Sequence, residues 1–537
     1  MSHPVFISRR RLLQSGAGGI GLAALGSVLA ACSASGGSPT ASSTAGSSAG
    51  SPKGSPKKGG TLRFARTTGP NSLDPHDTIL AGDVYTLNQI FEPLYITDVD
   101  GSLQPHLATG HTVSADGKTY TFAIRPNVTF SDGSPLTSAD VVYSLKRAQS
   151  SNGPLSFLDS AISAVTAAGR LSVVVQLKQA WSPLISDISA FSNSIVPNNL
   201  QGKSAAVFFA NPVGTGPFTL KSWVKGGTVT LARNAKYWNA PAPYLDSVVF
   251  TVVEDENQLV QQLQAGQVDV IDEVPAANYS SLSSASGVSV LKSPQWSVDL
   301  LLLNSQFKPF ADLHVRRAVA HAVNRAEIVK ATTFGTAEVA TSFFPSSLQY
   351  YDAKTQVLDY DLSAAKAELA QSAYPKGFTA QLLVPSSDQA WNEDAQIIQA
   401  SLAQIGVTIT IRSIELAAFK AAFEAFDFDM FIDNAINDIS DPDEMASFEL
   451  DEKEGGSNSY WTHYNDPATT TLVRSAESEQ DATKRAALYA QIQQKVADNV
   501  PFVPLSYPTS LKGMSSSVGG FKVNPAGAVR LENAWLA

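Results

Sequence analysis

Residues 391–432 read WNEDAQIIQASLAQIGVTITIRSIELAAFKAAFEAFDFDMFI, and the character of this stretch switches three times. Residues 391–405 read as a helix leading directly into the β-branched strand Val407-Thr408-Ile409-Thr410-Ile411. Residues 416–426 read as a second helix, followed by the strand Phe428-Asp429-Met430-Phe431-Ile432. The same alternation extends outward. Residues 311–332 are predicted helical, with Asp312 as N-cap and Val315, Ala318, Val319, Ala322 and Val323 on one face. Residues 248–253 and 298–303 are apolar runs of strand length, and residues 61–65 form a short strand pattern where order begins. Strands alternating with helices predict an α/β fold, with ligand contacts where strands end and loops begin.

Upstream of this ordered body the chain is of a different kind. Ser8-Arg9-Arg10-Arg11-Leu12-Leu13 opens a basic start, followed by an uncharged Gly/Ala/Leu run that ends at Leu29-Ala30-Ala31-Cys32. The run is too short and Gly-rich for a membrane span and reads as an export signal over residues 1–31. The twin arginine suggests the Tat route, which carries folded proteins. Cys32 is the only cysteine of the 537 residues. Leu29-Ala30-Ala31-Cys32 resembles a bacterial lipobox, which implies cleavage before Cys32 and lipidation of its thiol; the alternative is a secretory signal beside an unrelated cysteine. Residues 33–58 are a Ser/Gly/Thr/Pro tract ending in lysines, which cannot bury enough surface to offset ordering entropy and reads as a flexible linker. The expected location is the outer face of the cytoplasmic membrane, or the periplasm.

Without residues 1–31 the chain carries 35 basic and 48 acidic side chains, a net charge of −13. So acidic a chain has no general affinity for nucleic acid or anionic lipid. Its length calls for more than one core. With its one cysteine assigned to lipid, neither a disulfide nor a thiolate metal site is available.

Two patterns that imitate chemistry are rejected on context. Gly16-Ala17-Gly18-Gly19-Ile20-Gly21 lies in the export signal with no preceding strand, and Gly46-Ser47-Ser48-Ala49-Gly50 lies in the linker. His314 and His321 are seven apart, not the four that places two zinc ligands on one helix face. The acidic runs at 254–256 and 441–444 read as solvated faces. No carboxylate pair or phosphate cradle stands out, which favours a binding protein over an enzyme; no cofactor and no metal are expected.

Several ordered segments together resemble the family 5 extracellular solute-binding proteins, the peptide, dipeptide and nickel receptors of ABC importers. They are Ser72-Leu73-Asp74-Pro75, Ile90-Phe91-Glu92-Pro93-Leu94-Tyr95, Asp116-Gly117-Lys118-Thr119-Tyr120-Thr121-Phe122, and the stretch from Phe130-Ser131-Asp132-Gly133 to Val141. Asn211-Pro212-Val213-Gly214-Thr215-Gly216-Pro217-Phe218, residues 315–325 and Asp441-Pro442-Asp443 continue the series. Physically these are mostly turns: Gly214, Gly216 and Pro217 make one in which larger residues would clash, and Asp132-Gly133 makes another. The resemblance implies a two-lobed periplasmic-binding-protein-like fold of type II with an extra subdomain. Lobe I would take residues 59–296, lobe II 297–502, and residues 503–537 would return to lobe I. The two crossings would fall near residues 294–304 and 501–505, allowing hinge closure around a ligand.

In the family's peptide receptors an aspartate four residues before the Asp-Pro turn pairs with the peptide's α-ammonium group, which implies Asp438 in Asn437-Asp438-Ile439-Ser440-Asp441-Pro442. A carboxylate closed off from water needs a cationic partner or a proton. The alternative is that Asp438 caps a local turn, with Asp441 the nearer candidate. The tryptophan usual three residues before that aspartate is Ala435 here, and a second common aromatic is Leu416. The arginine that dipeptide receptors place against the carboxy terminus has no match in residues 386–391. A dipeptide would leave an unpaired carboxylate, so a longer peptide or a cationic or neutral non-peptide solute is expected. Trp391 could supply apolar surface. The candidate ligand residues are thus Asp438, Asn437, Leu416, Ala435 and Trp391. The expected partners are a small peptide or peptide-like solute, an ABC permease with its ATPase subunits, and the membrane through the lipid; the chain is expected to be a monomer. An oligosaccharide or metal-chelate receptor is the alternative, with a hydrolase on the same fold behind it.

Overall fold

The computed structural model describes residues 55–151, 153–451 and 462–537. The export signal, Cys32, most of the linker and both rejected glycine patterns lie outside the described residues. Lobe I is built on a seven-stranded mixed sheet whose central strand, Thr61–Arg66, runs parallel to Ser247–Val252 and to Val270–Ile271. Lobe II is built on a six-stranded mixed sheet in which Thr379–Pro385 runs parallel to Thr408–Ile414 and Met430–Ile436. A four-stranded antiparallel sheet, from Ala108–Val113 to Ser172–Leu177, forms the extra subdomain with the helix Ser138–Ser150 against it. The α/β, two-lobed expectation is met.

The stretch that decided the fold folds as read. Asp388 caps the helix Gln389–Ala403, and Thr408–Ile414, Leu416–Glu424 and Met430–Ile436 follow. The predicted helix over 311–332 is two helices. Asp312 caps Leu313–Ala322, but Val323 is extended, and the Asn324 side chain accepts from the Glu327 N–H at 3.2 Å to start Arg325–Thr332. An internal asparagine offering a better cap outweighed the continuous apolar stripe.

The chain crosses between lobes twice. Val288–Pro294 belongs to the lobe I sheet and Ser297–Leu303 to the lobe II sheet, so the first crossing is Gln295-Trp296. The second lies at Pro508, between Phe502–Tyr507 in lobe II and Thr509–Ser515 in lobe I. The return to lobe I therefore begins at 508, not 503. Proline at 504 invites a boundary there, but it sits inside a strand opposite Leu300, where the pairing shifts register beside Asp299. A bulge is where a strand tolerates a residue without an N–H.

Each sheet separates two apolar cores, as the two-residue period of a strand demands. In lobe II, Leu301, Leu303, Met430 and Ile432 face one core, while Leu300, Leu302, Phe431 and Ala435 face the other. Buried Glu92 ties the subdomain to lobe I. It accepts from His106 Nε2 at 2.7 Å, Tyr237 OH at 2.8 Å and Trp238 Nε1 at 2.9 Å, with Arg530 at 3.9 Å. Burial alone would raise its pKa, but these partners hold it below the ordinary value.

The glycines of residues 211–218 are needed for close approach. A Cβ on Gly214 would lie 2.0 Å from the Ile90 carbonyl oxygen, and one on Gly216 would lie 2.6 Å from that of Gln89. Both carbonyls belong to the last turn of the helix Ala81–Ile90, and Gly216 N–H donates to Ile90 O at 2.9 Å. Gly214→Ala is expected to cost about 2–3 kcal/mol, the scale of a forced backbone shift. Thermal denaturation beside the parent protein checks this, and an unchanged midpoint would show that the helix end yields.

Candidate functional site

The strand Met430–Ile436 runs out of the lobe II sheet into the loop 437–442, which leads to the helix Asp443–Leu450. Asn437 shapes that loop. Its N–H donates to Trp296 O at 2.8 Å, its Nδ2 to Ile439 O at 2.5 Å and Asp441 O at 2.8 Å, and its Oδ1 accepts from Met445 N at 3.0 Å. With both amide protons and the oxygen engaged, and the residue fully buried, Asn437 organises the loop. Asp438 is half-buried; its N–H donates to Glu444 Oε2 at 2.6 Å, and its Oδ1 is shielded from solvent.

Asp441, the nearer alternative, is committed elsewhere. Arg485 holds it in a two-pronged ion pair, Nη2 to Oδ1 at 2.8 Å and Nη1 to Oδ2, and donates through Nε to Ala476 O at 2.7 Å. The guanidinium lies beside the stacked rings of Tyr350 and Tyr489, 5.5 and 5.3 Å from their centres. Burial would lower its pKa, but Asp441, Tyr489 and Asp443 together outweigh burial and raise it. The pair pins the loop to the helix Ala482–Asn499.

The remaining candidates are divided between the faces of the sheet. Ala435 is buried in the core on one face, and Leu416, at the first position of its helix behind the Glu415 cap, packs half-buried against that same core. Trp391 is buried in the core on the opposite face, with Ala395 and Ile398. The structure thus brings Ala435 and Leu416 together against one core and sets Trp391 in the other. Strand alternation puts Ala435 and Trp391 on opposite faces.

Lobe I meets this loop directly. Ser186, in the short helix Leu184–Asp187, has its Oγ 2.8 Å from Ser440 Oγ and accepts from Asp441 N at 2.9 Å. Ile439 packs with Leu155, Leu158 and Ala190, and the Phe157 and Phe448 rings meet edge-on at 4.9 Å. Beside them, Ser182 N–H donates to Glu477 O at 2.7 Å, its Oγ to Glu479 O at 2.5 Å, and Gln480 Nε2 donates to Ser182 Oγ at 2.8 Å. None of these seam residues is marked by a local sequence signal, because the partners are about 250 to 300 positions apart.

Two lobes joined by two strand crossings, and meeting at a loop that ends a central strand, define a hinged solute-binding protein of the type II periplasmic fold. The chain belongs to the bacterial extracellular solute-binding proteins, family 5, whose profile matches residues 102–457. It is 27% identical over 509 residues to the dipeptide-binding protein of Escherichia coli strain K12, covering 88% of this chain and 94% of that one. Among solved structures it resembles the periplasmic binding protein DppA of Helicobacter pylori in complex with the peptide STSA. The TM-score is 0.76 at 26% identity, covering 89% of this chain and 98% of the other. It also resembles the oligopeptide-binding protein AppA of Bacillus subtilis in complex with a nonapeptide, with a TM-score of 0.74 at 25% identity, covering 90% and 100%. Among the described residues no helix is long and apolar enough to cross a membrane.

Removing Arg485 would leave Asp441 buried without its cation. Arg485→Ala is expected to lower folding stability by about 3–5 kcal/mol, the scale for breaking a buried pair. Urea denaturation measures it, and a loss below about 1 kcal/mol would show that the loop is not held by this pair.

Proposed function

We propose that this chain is the lipid-anchored receptor of an ABC importer, capturing a peptide or peptide-like amine outside the membrane and handing it to the permease. The observation that carries this reading is the loop 437–442. It is fixed by Asn437 and Arg485, and it carries Asp438 at the end of a central strand beside the line where the lobes meet. The relatives named above bind a dipeptide, the peptide STSA and a nonapeptide. The absence of an arginine from residues 386–391 favours ligands longer than two residues, whose carboxylate reaches water. The ligand's ammonium group would pair with Asp438 as the lobes close, with no covalent chemistry. The lipobox-like Leu29-Ala30-Ala31-Cys32 and the Ser/Gly linker would keep the folded body within reach of a permease in the same membrane.

Asp438→Asn should weaken binding of free-amine tri- to pentapeptides by about thirtyfold or more, the scale of truncating a buried charge pair. N-acetylated forms should bind parent and variant alike. Calorimetric titration measures both, and equal loss for both peptide forms removes Asp438 from the ammonium site. Cys32→Ser should move the protein from the membrane to the soluble envelope fraction. Arg9→Lys with Arg10→Lys should leave it in the cytoplasm, and export unaffected by the double change would rule out the twin-arginine route.

A further inference from the structure

The seam carries more acid than base. On the lobe I side, Asp187 is 2% exposed and accepts one strong hydrogen bond, from Trp181 Nε1 at 2.7 Å. Asp159, Tyr120 and Trp181 surround it within its own lobe, and Asp441, Asp443 and Arg485 act on it from lobe II. The two sides touch through Ser186 against Ser440 and the Asp441 N–H. Arg485 is already held by Asp441 in its two-pronged pair. Asp443, next to the seam, is also acted on by Glu477, while Arg474 pairs with Asp451 at 2.6 Å and lies 3.8 Å from Glu477. The Oδ1 atoms of Asp159 and Asp443 are buried and accept no hydrogen bond among the described residues. Buried carboxyl oxygens without donors favour the protonated acid.

We propose that this seam is a proton-linked clamp. Closing the lobes brings Asp187 against Asp441 and Asp443 around a guanidinium that Asp441 already holds, so the closed form takes up a proton from solvent on the Asp187 carboxylate. The reaction is protonation alone, carboxylate plus one proton to carboxylic acid, and opening returns the proton to water. The clamp belongs to the lobes themselves and holds whatever the solute is. Its direction follows from the burial of Asp187, which raises its pKa well above the ordinary value, while burial pushes Asp159 up to about 7. In the open form Asp187 regains water and loses its neighbours in lobe II. A group whose pKa is higher in the closed form favours closure fully below its open-form pKa. That advantage is lost as pH rises through the closed-form value. For each proton taken up, the closed-to-open ratio falls by up to about tenfold per pH unit in that window.

The test uses the full chain with Cys32→Ser, which is free of cysteine, carrying spin labels at Ala115→Cys on the subdomain and Ser478→Cys in lobe II. Both sites are exposed. Interlabel distances are measured without ligand from pH 5 to 9 at constant ionic strength. The expected result is a closed population that falls as pH rises. With Asp187→Asn, a neutral mimic of the acid, the pH dependence should flatten. Ser186→Ala, which removes a seam hydrogen bond and no charge, should lower closure by a constant factor and keep the slope. If Asp187→Asn does not fold, Asp159→Asn serves instead. It removes a neighbouring charge that resists ionisation of Asp187 and should move the midpoint to lower pH. A distance distribution independent of pH in the parent, a slope in Asp187→Asn as steep as the parent's, or an unmoved midpoint in Asp159→Asn overturns the clamp. Because no solute is present, that failure is distinct from failure of the peptide reading.

Discussion

The two crossings are neighbours in both sheets, and this constrains the rest of the structure. Val288–Pro294 pairs antiparallel with Thr509–Ser515 in lobe I, and Ser297–Leu303 pairs antiparallel with Phe502–Tyr507 in lobe II. Only Gln295-Trp296 and Pro508 lie between the paired regions. The lobes can therefore turn about a narrow two-stranded ribbon without breaking either sheet. Trp296 sits at that ribbon with its contacts divided. Its N–H donates to Pro525 O in the lobe I tail, its Nε1 to Ser347 O in lobe II at 3.2 Å, and its carbonyl accepts from Asn437. The residue that marks the hinge also holds the residue that shapes the loop 437–442, so hinge and loop are one mechanical unit.

The energetics of the two kinds of contact differ in the way a hinged receptor requires. Within each lobe, sheets bury broad apolar faces, and the fully buried Leu, Val and Phe side chains are each worth about 1.5–3 kcal/mol. Between the lobes the apolar patch is small, centred on Ile439, and beside it lie serine, glutamine and backbone contacts and the buried acids around Arg485. Hydrogen bonds of that kind contribute about 0.5–1.5 kcal/mol each. Interfaces this polar permit relative motion by default. The lobes are therefore rigid bodies, and the seam between them is adjustable.

What the sequence revealed was the short-range physics. The switch of pattern across 391–432 gave two helices and two strands in their correct order, because each is decided by residues within one or two turns of each other. The close approach of Gly214 and Gly216 was also legible, although its partner, the end of the helix Ala81–Ile90, was not. Errors arose where a local signal had a distant answer. The second crossing, expected at 501–505 from the resemblance, lies at Pro508 because the strand runs on through Pro504, where a bulge opposite Leu300 absorbs the proline. The loop-shaping role of Asn437 is not legible locally, because its partners at Trp296 and Met445 are set by the fold. Trp391 is more often core than cleft on residue type alone, and the core it joins is on the opposite face of the sheet. The seam was illegible for the same reason: Ser182 and Ser186 are ordinary loop and helix residues until lobe II is placed against them.

The three aspartates at 438, 441 and 443 show why an acidic run need not be a solvated face. Six residues carry three carboxyl groups, and their surroundings differ. Asp441 takes Arg485 in bidentate geometry, which fixes the loop. Asp443 is buried beside Glu477 and Asp441, and that environment raises its pKa, so its charge is suppressed rather than paired. Asp438 lies at the less buried end of the run, with its own N–H turned to Glu444 and Arg485 already engaged. Pairing at Asp441 and a raised pKa at Asp443 are two different ways of relieving the cost of a buried carboxylate. Neighbouring aspartates thus take different parts, fastening at Asp441 and suppressed charge at Asp443, by burial and partner alone.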